Sequence, residues 1–125
     1  MRIGLAGGGT DVSPYCDMYG GAVLNATISL YAHATIEPTD DNKITIEAID
    51  RGESITYDMA ESLPVNGHLN LAKGAYNHIV KKYGALPSGF RLTTSVDAPA
   101  GSGLGSSSTL MVAIVGAFAA WLQLP

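Results

Sequence analysis

The chain has 125 residues, 46% of them hydrophobic and only 14% charged, with a formal net charge of −4. That length suits one domain with a sizeable core rather than two; the apolar fraction excludes disorder, and the acidic balance excludes the basic stripe of a nucleic-acid surface. The single cysteine, Cys16, excludes an intramolecular disulfide and a zinc pattern, and reads as a small apolar filler.

Met1-Arg2 runs straight into Ile3-Gly4-Leu5 without an apolar h-region. No secretory signal is legible, and the cytoplasm is the expected location. Arg2–Ala6 reads as a short strand, followed by a permissive turn over Gly7, Gly8, Gly9, Thr10 and Asp11. Residues 12–19 read as a short helix, with Asp11 or Ser13 as N-cap and Pro14 in the first turn. Gly20 and Gly21 stop it. Strands are expected over 22–28 and 31–37, the second closed by Pro38. A polar turn at 39–42 leads to a strand over 43–49, which Asp50-Arg51-Gly52 turns into 54–57 as a hairpin. Residues 59–69 lack a period and read as loop. Asn70 is expected to cap a helix ending near Tyr83, with Leu71, Ala75, Ile79 and Tyr83 on one face and Lys73, Lys81 and Lys82 on a solvated one. Gly84 and Pro87 end it.

Phe90 to Val96 alternates apolar and polar residues as a half-buried strand does. Thr109 to Leu124 is apolar and uncharged and reads as a buried helix; its nonpolar run is shorter than the roughly 20 residues a bilayer span requires. Strands, a helix, a strand and a buried helix make an α+β layer arrangement, with no repeat and no internal domain boundary.

Between that last strand and helix lies Pro99-Ala100-Gly101-Ser102-Gly103-Leu104-Gly105-Ser106-Ser107-Ser108. Glycines let backbone amides approach a ligand without Cβ obstruction. A following helix aims its unpaired first-turn N–H groups and the positive end of its dipole at the same point. The serines add hydroxyls that cap the helix, bond phosphate oxygens or ligate Mg²⁺. On residue types alone the stretch also fits a flexible linker, or a tight turn whose serine merely caps the helix. It is neither a Walker A loop, for want of Gly-Lys-[Ser/Thr], nor a dinucleotide fingerprint, since Ser106 stands at the third glycine position.

The stretch resembles the second motif of the GHMP kinases: a proline, three residues, then Gly-Leu-Gly/Ala-Ser-Ser, here Pro99 followed by Gly103-Leu104-Gly105-Ser106-Ser107. The amino terminus is similar to the family's opening, a strand with a basic residue, a turn with a substrate-binding aspartate, then Gly-Gly-x-Val-Leu. Arg2, Asp11 and Gly20-Gly21-Ala22-Val23-Leu24 match it. Galactokinases carry Glu and His where this chain has Gly8 and Gly9, and the Gly-Gly-Gly-Thr-Asp form resembles the heptose 7-phosphate kinase and fucokinase-like branch.

The resemblance covers essentially the whole chain. It implies a fold related to the second domain of ribosomal protein S5, with a mixed or antiparallel sheet backed by helices. Residues 1–125 are then an amino-terminal nucleotide- and sugar-binding domain, truncated, with the carboxy-terminal domain absent. The implied activity is transfer of phosphoryl from Mg-ATP to the anomeric hydroxyl of D-glycero-D-manno-heptose 7-phosphate, with an L-fucose or other anomeric sugar kinase, or a non-catalytic nucleotide- or sugar-binding module, as alternatives. The resemblance assigns the ATP phosphates to Pro99, Gly101, Ser102, Gly103, Leu104, Gly105, Ser106, Ser107 and Ser108, with Ser107 also on Mg²⁺. It assigns the sugar to Gly8, Gly9, Thr10 and Asp11.

Arg2 becomes the candidate catalytic residue if it points into the cleft, and otherwise is a solvated terminal residue. Gly8 and Gly9 either make room and an anion-binding nest for a sugar phosphate or only permit a tight turn. His33, His68 and His78 share no nucleophile or metal spacing, Glu37, Glu47 and Asp58 read as surface charges, and Asp97 receives no role. Thr109 to Pro125 contains no Asp or Glu. The family's catalytic carboxylate, acidic Mg²⁺ ligand and third glycine-rich motif are therefore expected further along a longer polypeptide. No nucleic-acid or membrane partner is expected.

Overall fold

The computed structural model describes every residue except His68 and Ala100. In chain order the elements are β1 (Arg2–Ala6), α1 (Tyr15–Tyr19), β2 (Leu24–Thr27), β3 (Ala32–Thr39), β4 (Lys43–Ala48), a 3₁₀ turn (Ile49–Arg51), β5 (Glu53–Asp58), α2 (Asn70–Tyr83), β6 (Gly89–Val96) and α3 (Ser106–Leu122). The main sheet has the order β3-β6-β4-β5, with β6 antiparallel to β3 and parallel to β4. It is a mixed sheet, and the arrangement is the α+β fold the sequence implies. β1 and β2 pair antiparallel as a separate two-stranded sheet.

Alternation decides which face of the main sheet is covered. Ile44, Ile46 and Ala48 of β4 and Phe90 and Leu92 of β6 are buried beneath Ala72, Tyr76 and Ile79 of α2 and Ile114 and Phe118 of α3. Phe90 anchors this layer, its ring centroid 5.8 Å from Tyr76, 5.4 Å from Phe118 and 5.6 Å from Trp121. Aromatic contacts of this kind add to the burial term that dominates such a core. On the opposite face Arg91 pairs with Glu47, and the Thr45 and Thr56 hydroxyls lie 3.3 Å apart.

Several expectations need correction. The helix expected over 12–19 is regular only over Tyr15–Tyr19. Strand β3 continues through Pro38 to Thr39, which an edge strand tolerates because the missing N–H faces outward. The N-cap of α2 is Leu69, in the left-handed region, rather than Asn70; the Asn70 side chain instead accepts the Gly67 amide at 2.9 Å. α3 starts at Ser106 and is not buried all round: Ile114 and Phe118 are covered, but Val112 is 72% exposed. Cys16 is partly exposed, with its thiol 3.6 Å from Asp17, rather than a core filler.

Lys73 is the clearest reversal. It is fully buried, its ammonium 2.7 Å from Asn66 Oδ1 and 5.1 Å above the Tyr57 ring. The cause is the return of the 59–69 loop over α2. Tyr76 donates its phenol to the Ala60 carbonyl at 2.6 Å, and Asn77 brackets Leu63, accepting its amide at 2.6 Å and donating to its carbonyl at 3.0 Å. Burial pushes the Tyr76 phenol pKa above its ordinary value. Helical spacing alone does not reveal such a loop. Among the described residues no helix is long and apolar enough to cross a membrane.

Candidate functional site

Two glycine-rich segments carry the candidate residues, and β1 links them. The first runs from Pro99 into α3. Gly101, Gly103 and Gly105 adopt φ of 75°, 75° and 78°, a region in which a Cβ costs about 1–2 kcal/mol. Their succession turns the backbone inside out. Ser102 donates its amide to the Pro99 carbonyl at 3.2 Å, and Thr109 donates its amide and hydroxyl to the Gly105 carbonyl at 3.1 and 2.8 Å. The amides of Gly103, Leu104, Gly105, Ser106, Ser107 and Ser108 have no acceptor among the described residues. Gly105 is the N-cap, and no serine side chain caps the helix. Ala100 lies outside the described residues.

Arg2 is brought to this loop. Its amide donates to the Leu104 carbonyl at 3.0 Å, and a Cβ on Gly105 would lie 3.2 Å from its Nη1. A guanidinium thus sits against the amino-terminal end of α3, two positive features side by side, an arrangement that favours an anion between them. Asp97 keeps its carboxylate turned to the chain: it accepts the Tyr31 amide at 2.9 Å, lies 3.6 Å from His33 Nε2, and returns its own amide to the Tyr31 carbonyl at 2.9 Å. His33, to which the sequence gives no role, and the unassigned Asp97 together clamp the strand end from which the loop departs.

The second segment is the turn after β1. A Cβ on Gly7 would collide with the Ala22 carbonyl, and one on Gly21 with the Thr10 carbonyl, so the two stretches pack main chain against main chain. The Thr10 hydroxyl fastens them, donating to the Gly7 and Ala22 carbonyls at 2.7 and 3.0 Å and accepting the Ala22 amide at 3.1 Å. Gly8 faces open space, with nothing within 4 Å of a Cβ there. Asp11 is exposed, and its carboxylate has no hydrogen-bond or ion-pair partner among the described residues. Arg2 sits at the loop and the glycine turn follows Ala6, so the Arg2–Ala6 strand, about 13 Å long, runs between them.

A cleft of about 150 Å³ adjoins the start of α3, walled by Ile46, Ala48, Val96, Leu110 and Ile114, with Asp50, Arg51, Leu69, Asn70, Thr94, Ser106 and Ser107 also lining it. Sequence reading does not find this cleft, since its lining comes from β4, the 3₁₀ turn, α2, β6 and α3. The Asp50-Arg51-Gly52 stretch reads only as a hairpin turn. One signal is present: Thr94 is a polar residue in register with the core-facing Phe90 and Leu92. No group of three or more His, Cys, Asp or Glu side chains suited to a metal ion occurs among the described residues.

Residues 70–125 match the family described as GHMP kinases N terminal domain. A curated relative from Campylobacter jejuni, D-glycero-alpha-D-manno-heptose 7-phosphate kinase, is 50% identical over 125 residues, all of this chain and 37% of the relative. A solved structure of a D-glycero-D-manno-heptose 1-phosphate kinase from Bacteroides thetaiotaomicron superposes with a TM-score of 0.91 at 53% identity, over all of this chain and 41% of that one. The mevalonate kinase of Methanococcus jannaschii, at 18% identity and a TM-score of 0.75 over 82% of this chain and 34% of its own, shares the fold. The chain therefore spans well under half the length of these relatives.

Proposed function

Since the chain belongs to the GHMP kinase family, we propose that it is the leading part of an ATP-dependent sugar kinase that phosphorylates the anomeric hydroxyl of D-glycero-D-manno-heptose 7-phosphate. One observation carries the reading: the amides from Gly103 to Ser108 have no acceptor among the described residues, and the Arg2 guanidinium lies beside Gly105 at the start of α3. Phosphoryl transfer asks a protein chiefly to position reactants and neutralise charge, and this arrangement supplies both.

The residues fit the nucleotide. The three left-handed glycines keep Cβ atoms off the loop, the amides and helix dipole offer donors to phosphate oxygens, and the cleft beside Ser106 and Ser107 has the apolar walls a purine needs. Bound Mg-ATP supplies the transferable phosphoryl group. Ser107, exposed in the first turn of α3, would be the protein's hydroxyl ligand to Mg²⁺. Arg2 would stabilise the phosphoryl group in transit, which makes the loop, not the glycine turn, its place of action.

At the other end of β1, Asp11 would accept hydrogen bonds from sugar hydroxyls. Gly8 and Gly9 would leave room for the substrate's own phosphate, and the strand between leaves space for an extended sugar phosphate. Thr10 acts by holding the turn, because main-chain groups already occupy its hydroxyl. The names of the relatives support the heptose assignment. The acids that complete the chemistry are expected in polypeptide beyond these residues, as the relatives' greater length supports.

The test is Ser107→Ala in the full-length protein, with ATP affinity measured with and without Mg²⁺. Loss of a metal ligand predicts about tenfold weaker binding with Mg²⁺ and little change without it. Equal weakening in both conditions removes the metal role, and absence of ATP binding by the unsubstituted protein removes the kinase reading.

A further inference from the structure

Thr94 is 5% exposed, and its hydroxyl makes no hydrogen bond to any described residue. Its register partners explain why. On β3 it faces Ala34 and on β4 it faces Ala48, neither of which offers a side-chain acceptor. The strand's alternation would place an apolar residue here, as it does at Phe90 and Leu92. Among the described residues no side-chain nitrogen or oxygen is both enclosed and unpartnered, so the unpaired Thr94 oxygen is not an enclosed one. Thr94 lines the cleft beside Ser106, Ser107 and Ile114.

We propose that Thr94 is a nucleotide-contacting residue, its hydroxyl hydrogen-bonding the nucleoside part of the bound nucleotide rather than its phosphates. The inference rests on the reading of the loop and cleft as an ATP site. Three features select the nucleoside. The neighbours of Thr94 in the sheet are alanines, the cleft walls are aliphatic, and the cation among the described lining residues, Arg51, is already paired with Glu53 at 3.0 Å, so a phosphate dianion placed there would lose its hydration without a free countercharge. The unpaired amides that suit phosphate lie on the loop instead. A hydroxyl both donates and accepts, which matches the mixed polar edge of a purine or a ribose. An unpaired hydroxyl that opens on the cleft is available to a ligand and is not committed to packing within the sheet.

The experiment compares Thr94→Val and Thr94→Ser with the unsubstituted full-length protein. Binding of Mg-ATP and of Mg-tripolyphosphate, which has no nucleoside, is measured by calorimetry, alongside melting without ligand. The valine variant should bind Mg-ATP about three- to tenfold more weakly, the worth of one neutral hydrogen bond. It should bind tripolyphosphate unchanged and melt no lower than the unsubstituted protein. The serine variant should keep its affinity for Mg-ATP. Undiminished Mg-ATP binding by Thr94→Val overturns the proposal, as does an equal loss on both probes or a lowered melting temperature accompanied by such a loss. If the unsubstituted protein binds tripolyphosphate as well as Mg-ATP, the nucleoside role of the cleft falls while the phosphate loop stands. If it binds neither, the ATP reading falls with it.

Discussion

Gly7 and Gly8 are neighbours with opposite constraints, and the difference lies in what surrounds each Cβ position. Gly7 has a φ of 77° and backs onto the Ala22 carbonyl, whereas Gly8 opens on empty space. Gly7→Ala combines a left-handed Cβ with a main-chain collision and should cost about 2–4 kcal/mol of stability. Gly8→Ala should stay within about 0.5 kcal/mol. Denaturant midpoints of the two variants check this; equal costs would mean the turn does not discriminate its glycines. The family resemblance points to the Gly-Gly-Gly-Thr-Asp segment, and the residues themselves announce a turn. Which glycine serves packing and which leaves room for a ligand is not legible, because it depends on the stretch at Gly20–Val23 folding back onto the turn. Thr10 illustrates the same limit: its place beside Asp11 suggests a sugar contact, yet its hydroxyl fastens Gly7 to Ala22. Asp11 alone among these keeps an unengaged polar group.

At the scale of elements, local periodicity was enough to read the strands and α2, while tertiary returns were not readable. The Lys43–Ala48 and Gly89–Val96 strands follow from alternation, and α2 ends as Gly84 demands. The loop over residues 59–69 has no such pattern, because what holds it is distributed along α2: Tyr76 takes Ala60, Asn77 takes Leu63 and Lys73 takes Asn66. That loop delivers Leu69 to the wall of the cleft at a φ of 51°, a conformation tolerated only where its surroundings hold it. Asn77 satisfies both main-chain groups of Leu63, whose side chain is buried. Asn77→Ala therefore strands a buried donor and acceptor together and should cost about 2–4 kcal/mol. Lys73→Met keeps the aliphatic volume and removes a buried charge along with its bond, so its cost should be smaller. Thermal or denaturant unfolding of both variants tests the ranking. A larger loss from Lys73→Met would make the ammonium, not Asn77, the main tether of the loop.

The whole molecule buries one face of its main sheet well and leaves its amino-terminal layer bare. Every residue of β1 and β2 is exposed, with Leu5 and Leu24 each 61% accessible. Met18 and Tyr19 of α1 and Val112 of α3 are more accessible still. Apolar surface gathered in this way is uncommon on a self-sufficient monomer and marks a place of contact. Two features are consistent with one occupant. Relatives 50% and 53% identical to this chain are matched over only 37% and 41% of their lengths, and residues 109–125 contribute no carboxylate to a site whose proposed chemistry needs one. If the proposed function holds, the polypeptide expected to supply the acid would also be the natural cover for the bare layer. The prediction is twofold. The 125-residue chain expressed alone should associate or precipitate with rising concentration, and it should transfer no phosphoryl group to a heptose phosphate. Substituting Leu5 and Leu24 by lysine should shift the isolated chain toward monomer in sedimentation without restoring turnover, because surface charge replaces the cover but not the acid. In the full-length protein the same pair should lower stability, as lysines would then be forced into a covered interface. A monodisperse 125-residue chain that phosphorylates the sugar would refute both halves. A full-length protein indifferent to the two lysines would leave the bare layer as true outer surface and send the search for its cover elsewhere.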